Sequence, residues 1–317
     1  MGVRGLWPTI SRKYKATRGG LPNDTLLVDL FATFFVPIRR NFQTKPLQQA
    51  VDALDTLLKA RFDNLATVEI FVDGRGSREK EGTAQDRRRR AESSLVKAEA
   101  IVNTMEQKAA AGRSVSSAVY RRYNRNLAQS FIFSTQERAQ IVQGLQLKGW
   151  TVHQASCEAD VAIKQRCRVL TQAGVEFAVV TGDSDLLIHP EVPVIYRPTS
   201  KGQFLRYDVE ECAEKLGISR SQLAALGVVC KNDYSQNVTG YGVASNLALI
   251  KETDRGTGLD IMLFILYRLF VVLVDDPDAF YSTISLFHCR SGTRASDHPV
   301  CSKGQEGYTI RETRSFR

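Results

Sequence analysis

Residues Phe177 to Asp185 read FAVVTGDSD, an unbroken apolar run that ends in a glycine and two aspartates. A half-exposed strand alternates apolar and polar residues. A continuous run asks for cover on both faces, which is how parallel strands sit in an α/β sheet. Working outward, TLLVDL at 25–30, VEIFVDG at 68–74, WTVHQA at 150–155 and PVIYR at 193–197 have the same character. Helical stretches lie between them. Leu47 to Phe62 carries Val51, Leu54, Leu57 and Leu58 at helical spacing, Glu137 to Gly149 closes on a glycine suited to a C-cap, and EADVAIKQRCRVLTQA at 158–173 precedes Gly174. The pattern predicts an α/β domain built on a mainly parallel central sheet flanked by helices. From Asp208 onward helices with short turns are expected, at 208–216, 219–230, 242–251 and 259–275. The expected organisation is a core over 1–207 that contains a basic helical segment at 75–135, a helical region over 208–276, and a polar tail over 277–317 that is partly disordered.

The chain has 317 residues, with 43 Lys+Arg against 34 Asp+Glu for a formal net charge of +9. Its 43% hydrophobic and 24% charged residues exclude wholesale disorder and fibrous repeats, while the excess charge points to a polyanionic partner. The charge is not spread evenly: between Arg75 and Arg125 thirteen Lys/Arg face six acids, so +7 of the +9 lies there. Six scattered cysteines without CxxC spacing suit a reducing, intracellular compartment. Met1 to Ser11 lacks the pattern of a secretory leader. The longest apolar run, Ile261 to Val274, is interrupted by Arg268 and is shorter than the roughly 18 residues a bilayer requires, so no membrane role is expected. His288, Cys289, His298 and Cys301 lack the spacing of a zinc knuckle, and His153 and His189 read as structural.

Several predicted strands end in an acid or run straight into one. Asp29 closes TLLVD, Asp73 closes VEIFVD, Glu158 and Asp160 follow WTVHQASC, and Asp183 and Asp185 follow FAVVTG. In an open parallel sheet the carboxyl ends of the strands share one edge, so these six side chains are expected to converge. So many like charges require cations, and hard divalent ions with oxygen ligands are the natural neutraliser. Two Mg²⁺ ions about 4 Å apart can activate a water and stabilise the leaving oxygen of a phosphodiester. A basic segment that grips phosphates beside such a cluster describes a metal-dependent nuclease. A seventh acid, Asp233 in CKNDY at 230–234, is followed by VTGYG at 238–242 and a new helix, a turn able to present backbone groups to phosphate or a monovalent cation.

Together these residues resemble the flap endonuclease and xeroderma-pigmentosum-G-type structure-specific 5′ nucleases, a PIN-like fold with a helical arch and a helix-two-turn-helix. MGVRGLW is similar to the family's amino terminus, VDLFATFF to its first acidic strand, and FVDGRGSREKEGTAQDRRRRAE to its F-D-G block with following basic residues. CEAD, TGDSDLL and KNDYSQNVTGYGVASNLALI match its later blocks in the same order, over roughly residues 1–252. The resemblance implies that Asp29, Asp73, Glu158, Asp160, Asp183, Asp185 and Asp233 hold two Mg²⁺ ions, for which Mn²⁺ can substitute. It implies that Lys80 and Arg87 act on the scissile phosphate. Gly2 would pack near the site, Phe35 would stack on a terminal base pair, and Gly240 and Gly242 would grip duplex DNA through K⁺. Arg88, Arg90, Arg121, Arg122 and Arg125 are added as DNA contacts from the basic segment.

The sequence departs from the family pattern in five places: Lys231-Asn232 replaces Gly-Ser, Tyr241 stands between the hairpin glycines, VASN at 243–246 lacks the basic residue often found there, the interval from Asp73 to Glu158 is long enough for an elongated arch, and no sliding-clamp motif is seen. The expected activity is that of a divergent, monomeric, Mg²⁺-dependent deoxyribonuclease of the nucleus acting on branched, flapped or 5′-ended DNA. The alternatives are a nucleic-acid-binding regulator of the same fold with little catalysis, and a PIN-type RNase.

Overall fold

Strands β2 (Thr25–Asp29), β3 (Thr67–Val72) and β5 (Phe177–Val180) form the centre of the molecule, and all but their first residues are buried or nearly so. Pairing is parallel, with Val28 opposite Ile70 on one side and Val180 on the other. The computed structural model describes residues 2–19, 21, 25–62, 67–74, 81–230 and 242–252, all within the unit Met1–Leu273. Within these residues β4 (Thr151–Gln154) extends the parallel set beyond β3, and β6 (Val194–Pro198) extends it beyond β5. The five expected strands are therefore present and mutually parallel. Two further strands make the sheet mixed: β7 (Phe204–Asp208) runs antiparallel to β6, and the short edge strand β1 (Thr17–Gly19) runs antiparallel to β7. The sheet order is β1-β7-β6-β5-β2-β3-β4.

Successive strand residues point to opposite faces, and each face has its own core. Leu27, Phe71 and Val179 pack under α1 (Leu6–Lys13), α7 (Ala159–Gln172), α8 (Val209–Leu216), α9 (Arg220–Val229) and α10 (Val243–Lys251). Leu26, Val28, Ile70, Val72 and Val180 pack under α2 (Leu30–Thr44), α3 (Leu47–Phe62) and α6 (Thr135–Leu147). Cover on both sides explains the unbroken apolar runs. The exception inside a strand is Glu69, buried on β3. Arg166 of α7 meets its carboxylate at 2.6 Å and 3.0 Å, and His153 of β4 at 2.9 Å, so the buried charge is compensated.

The helices begin where their caps dictate. At α6 Ser134 and Glu137 form a reciprocal capping box, and Ser219 and Gln222 form another at α9. The basic segment is a helical hairpin. α4 (Glu81–Ala110) is 30 residues long, about 45 Å at the α-helical rise, and buries Ala91, Ser94, Ala98 and Ile101 along one stripe. α5 (Ser117–Ser130) packs along it and returns the chain toward the sheet. The expected helix at 259–275, the tail at 277–317 and the zinc alternative there lie outside the described residues. Among the described residues no helix is long and apolar enough to cross a membrane.

Ile70 is fully buried at the centre of β3. Ile70→Ala should lower the unfolding free energy by about 2–5 kcal/mol, seen as a lower denaturant midpoint at unchanged slope. A loss below about 0.5 kcal/mol, within the range of ordinary surface changes, would contradict this packing.

Candidate functional site

The carboxyl ends of the three central strands each deliver an acid, and each acid accepts a backbone N–H. Asp29 closes β2 and caps α2, where its Oδ1 accepts the Ala32 N–H at 3.1 Å. Asp73 follows β3, and its Oδ1 accepts the N–H of Ala159 at 2.9 Å. Ala159 opens α7, whose N-cap is Glu158 and whose first turn carries Asp160. After β5, Thr181 Oγ1 donates to Asp29 Oδ2 at 3.4 Å and accepts the Asp183 N–H at 3.0 Å. Asp183 Oδ1 in turn accepts the Asp185 N–H at 3.1 Å, where a four-residue 3₁₀ turn, Asp185–Ile188, begins.

This geometry brings Asp73, Asp160 and Asp183 within electrostatic reach of Asp29. Asp29 registers it: burial first, then the neighbouring charge of Asp73, raises its carboxyl well above the usual carboxylate range. The Ala32 N–H opposes the shift, and Asp183 and Asp160 add to it. Glu158 and Asp185 are buried beside these residues in the chain. Asp233 lies outside the described residues. Among the described residues, no three His, Cys, Asp or Glu side chains stand as a set able to hold a metal ion. What fits a hard divalent cation is the donor chemistry: oxygen ligands only, with mutual repulsion that a cation would relieve.

Gly2 reaches this edge. It has φ +94°, and a Cβ there would lie 2.0 Å from Asp183 Oδ1 and 2.5 Å from Ser184 Oγ, so only glycine fits. Phe35, expected to stack on a base pair, is half-buried against an aromatic group. Phe133 lies edge-on at 5.9 Å and the Arg39 guanidinium 5.9 Å over its ring. Phe31, Phe42 and Phe131 complete that group around Phe133.

Arg87, Arg88 and Arg90 are exposed on the first turns of α4, and Arg121, Arg122 and Arg125 are exposed on α5. The base of the hairpin is pinned to α2, since Arg39 Nη1 donates to Ala128 O at 3.0 Å and Gln43 Nε2 to Leu127 O at 3.2 Å. Lys80 and Gly240 lie outside the described residues. Gly242 is the N-cap of α10, with nothing within 4 Å of where a Cβ would stand.

Three neighbours of the acids are assigned no role from the sequence. Thr181 ties the Asp29 and Asp183 ends together and opens the run TGDSD at 181–185, where a hydroxyl close to two carboxylates is the one available hint. Trp7 donates from Nε1 to Gly182 O at 3.1 Å. Arg138 donates from Nη1 to Gly74 O at 3.2 Å and lies over the Phe31 ring at 5.9 Å. The last two depend on long-range packing that no local motif announces.

No family model matches the chain. Flap endonuclease 1 of Ostreococcus tauri is 29% identical over 123 residues, which are 38% of this chain and 31% of that one. The matched stretch thus spans about a third of that relative's length. The catalytic core of Rad2 in complex with DNA substrate superimposes with a TM-score of 0.56 at 15% identity, covering 91% of this chain and 86% of that one. Flap endonuclease-1 from Methanococcus jannaschii superimposes at 0.50 with 17% identity, over 80% and 78%. The fold is therefore the PIN-like fold of structure-specific nucleases. Over part of its length the sequence is similar to flap endonucleases, and over most of its length the fold is similar to the Rad2 catalytic core.

Because the carboxyl of Asp29 titrates higher folded than unfolded, the metal-free fold loses stability as pH rises from about 4, the unfolded value, through the raised one. Asp29→Asn keeps the oxygen that caps α2 and removes the charge. In EDTA, the melting temperature of this variant should exceed that of the parent at pH 8, and the gain should vanish near pH 4. A lower melting temperature at both pH values would contradict the crowding of charge at Asp29.

Proposed function

We propose that the chain is a divalent-metal-dependent nuclease that hydrolyses phosphodiester bonds in branched, flapped or 5′-ended DNA. The observation that carries this reading is the convergence of Asp73, Asp160 and Asp183 on Asp29 at one sheet edge, in a chain whose helical hairpin exposes Arg87, Arg88 and Arg90. A sequence relative named as a flap endonuclease and a fold relative solved in complex with DNA substrate agree with it.

Asp29, Asp73, Glu158, Asp160, Asp183, Asp185 and Asp233 would hold the ions, Mg²⁺ with Mn²⁺ as a substitute. When bound, such ions supply a Lewis acid and lower the pKa of water. The chain's own groups do the remaining work. The arginines of α4 and α5, with Lys80, gather the phosphate backbone and orient it toward the acids. Arg87 and Lys80 offset negative charge developing at the scissile phosphate. Gly2, lacking a side chain, leaves the approach to Asp183 open. Gly240 and Gly242 would meet the duplex backbone, with K⁺ as the bridging ion. The protein acts as a monomer in the nucleus on this reading.

With end-labelled flap, nicked and gapped DNA and Mg²⁺, Asp183→Asn should reduce cleavage by at least about 100-fold while DNA affinity changes less than about threefold. A parent protein that leaves every DNA structure uncut and retains binding would instead support a non-catalytic regulator. Cleavage of the matched RNA alone would support an RNase, since the 2′-hydroxyl separates the two.

Replacing Arg87, Arg88 and Arg90 by Ala should weaken binding to all sequences alike. It should also flatten the plot of log affinity against log salt by roughly one unit for each phosphate no longer neutralised. An unchanged salt slope would remove the arch from the DNA interface.

A further inference from the structure

Asp183 and Asp185 sit on a loop, and a loop holds a carboxylate in place only if its own backbone is tied down. On the near side it is tied by the N-terminal segment: Ser184 Oγ donates to Val3 O at 3.2 Å, and Trp7 to Gly182 O. On the far side the tie comes from α9. Arg220, the first residue of that helix, donates from Nη2 to His189 O at 2.6 Å and to Val192 O at 3.0 Å, and from Nη1 to Leu187 O at 3.3 Å. Leu187 and His189 lie at the C-terminal end of the 3₁₀ turn that Asp185 begins, where carbonyls attract a cation.

The placement of Arg220 is not a default for a surface arginine. Its side chain is only 17% exposed, the nearest carboxylate oxygen, Glu210 Oε2, is 4.0 Å from Nε, and a cation in the first turn of a helix opposes the helix dipole. Burial lowers its pKa, yet a guanidinium remains charged. Three carbonyls of one loop, met by one planar fork, are what compensates it.

One helical face of α9 makes a second contact with the same turn. Gly227 lies seven residues on, and a Cβ there would come within 2.5 Å of Ile188 Cδ1 and Cγ2. The helix is in turn fastened to α10: Gln222 Nε2 donates to Ile250 O at 3.0 Å and Asn246 Nδ2 to Val229 O at 3.3 Å. α9 thus forms a strut between the helix that follows the candidate duplex-binding turn and the loop that carries two of the acids.

We propose that Arg220 is a positioning residue: through the carbonyls of Leu187, His189 and Val192 it fixes Asp185 and Asp183, and so couples α10 to the carboxylate edge. Its kinetic consequence rests on the nuclease reading above, while its structural consequence does not. Arg220→Met keeps length and loses every donor; Arg220→Lys keeps the charge and loses the fork.

The test uses the full chain. In the metal-free protein, Arg220→Met should speed amide hydrogen exchange over 183–192 by about tenfold or more and leave 25–29 and 67–72 unchanged, as a local opening does. In a titration with Mn²⁺ alone, followed by electron paramagnetic resonance, its apparent affinity should fall at least about tenfold. Cleavage should show a fall in kcat of about tenfold with KM for DNA within about twofold. Arg220→Lys should be intermediate in all three.

Exchange that rises evenly across the chain, with Mn²⁺ affinity intact, would overturn the proposal and leave Arg220 as ordinary support for α9. If Arg220→Met does not fold, Gly227→Ala tests the same strut. It should disturb 183–192 selectively, and adding Ile188→Ala should restore part of the loss; no restoration overturns the proposal. A parent protein that cuts no DNA would sink the nuclease reading and leave the exchange and Mn²⁺ measurements to decide the role of Arg220.

Discussion

The burial of Asp29 beside the like charges of Asp73, Asp160 and Asp183 is the constraint on which the rest of the account depends. A soluble fold has no structural reason to gather carboxylates at one edge and bury the central one; the raised pKa of Asp29 is the mark of that conflict. Asp29 is nevertheless held by the backbone amide of Ala32 and Asp73 by that of Ala159, so the chain places its charges first and leaves their neutralisation to something else. The parallel sheet makes this possible, because adjacent β3, β2 and β5 all end at the same edge.

Around that edge the structure divides its labour by charge. The acids occupy the sheet, while the positive charge is lifted onto α4 and α5, where α4 buries a stripe of mostly small residues and its outer face carries arginine. The hairpin is pinned at its base through Arg39, Gln43 and the Phe133 cluster. Separate positive and negative surfaces of this kind would steer a phosphate chain before any contact is made.

The sheet was legible because burial on both faces writes itself as continuous hydrophobicity, as at 177–180 and 25–28. The acids were legible because they stand where those runs stop. β1 and β7 were not: Thr17–Gly19 is a three-residue exposed edge, and Phe204–Asp208 buries only its Phe and Tyr. α1 and α2 escaped for another reason, since each contains a proline, Pro8 and Pro37, that argues against a helix on local pattern, and FATFFV reads equally well as a strand. The role expected of Phe35 was drawn from resemblance, and the structure adds an aromatic cluster that local sequence could not reveal. Arg220 and Thr181 act through carbonyls and carboxylates contributed by distant elements, and such contacts leave no spacing to read.

The central claim, that this edge is a divalent-metal site, is tested most directly by soaking crystals of the protein in Mn²⁺ and computing an anomalous difference map. The account predicts two peaks among Asp29, Asp73, Glu158, Asp160, Asp183, Asp185 and Asp233. A map with no peak at that edge, from crystals that bind Mn²⁺ elsewhere, would contradict it.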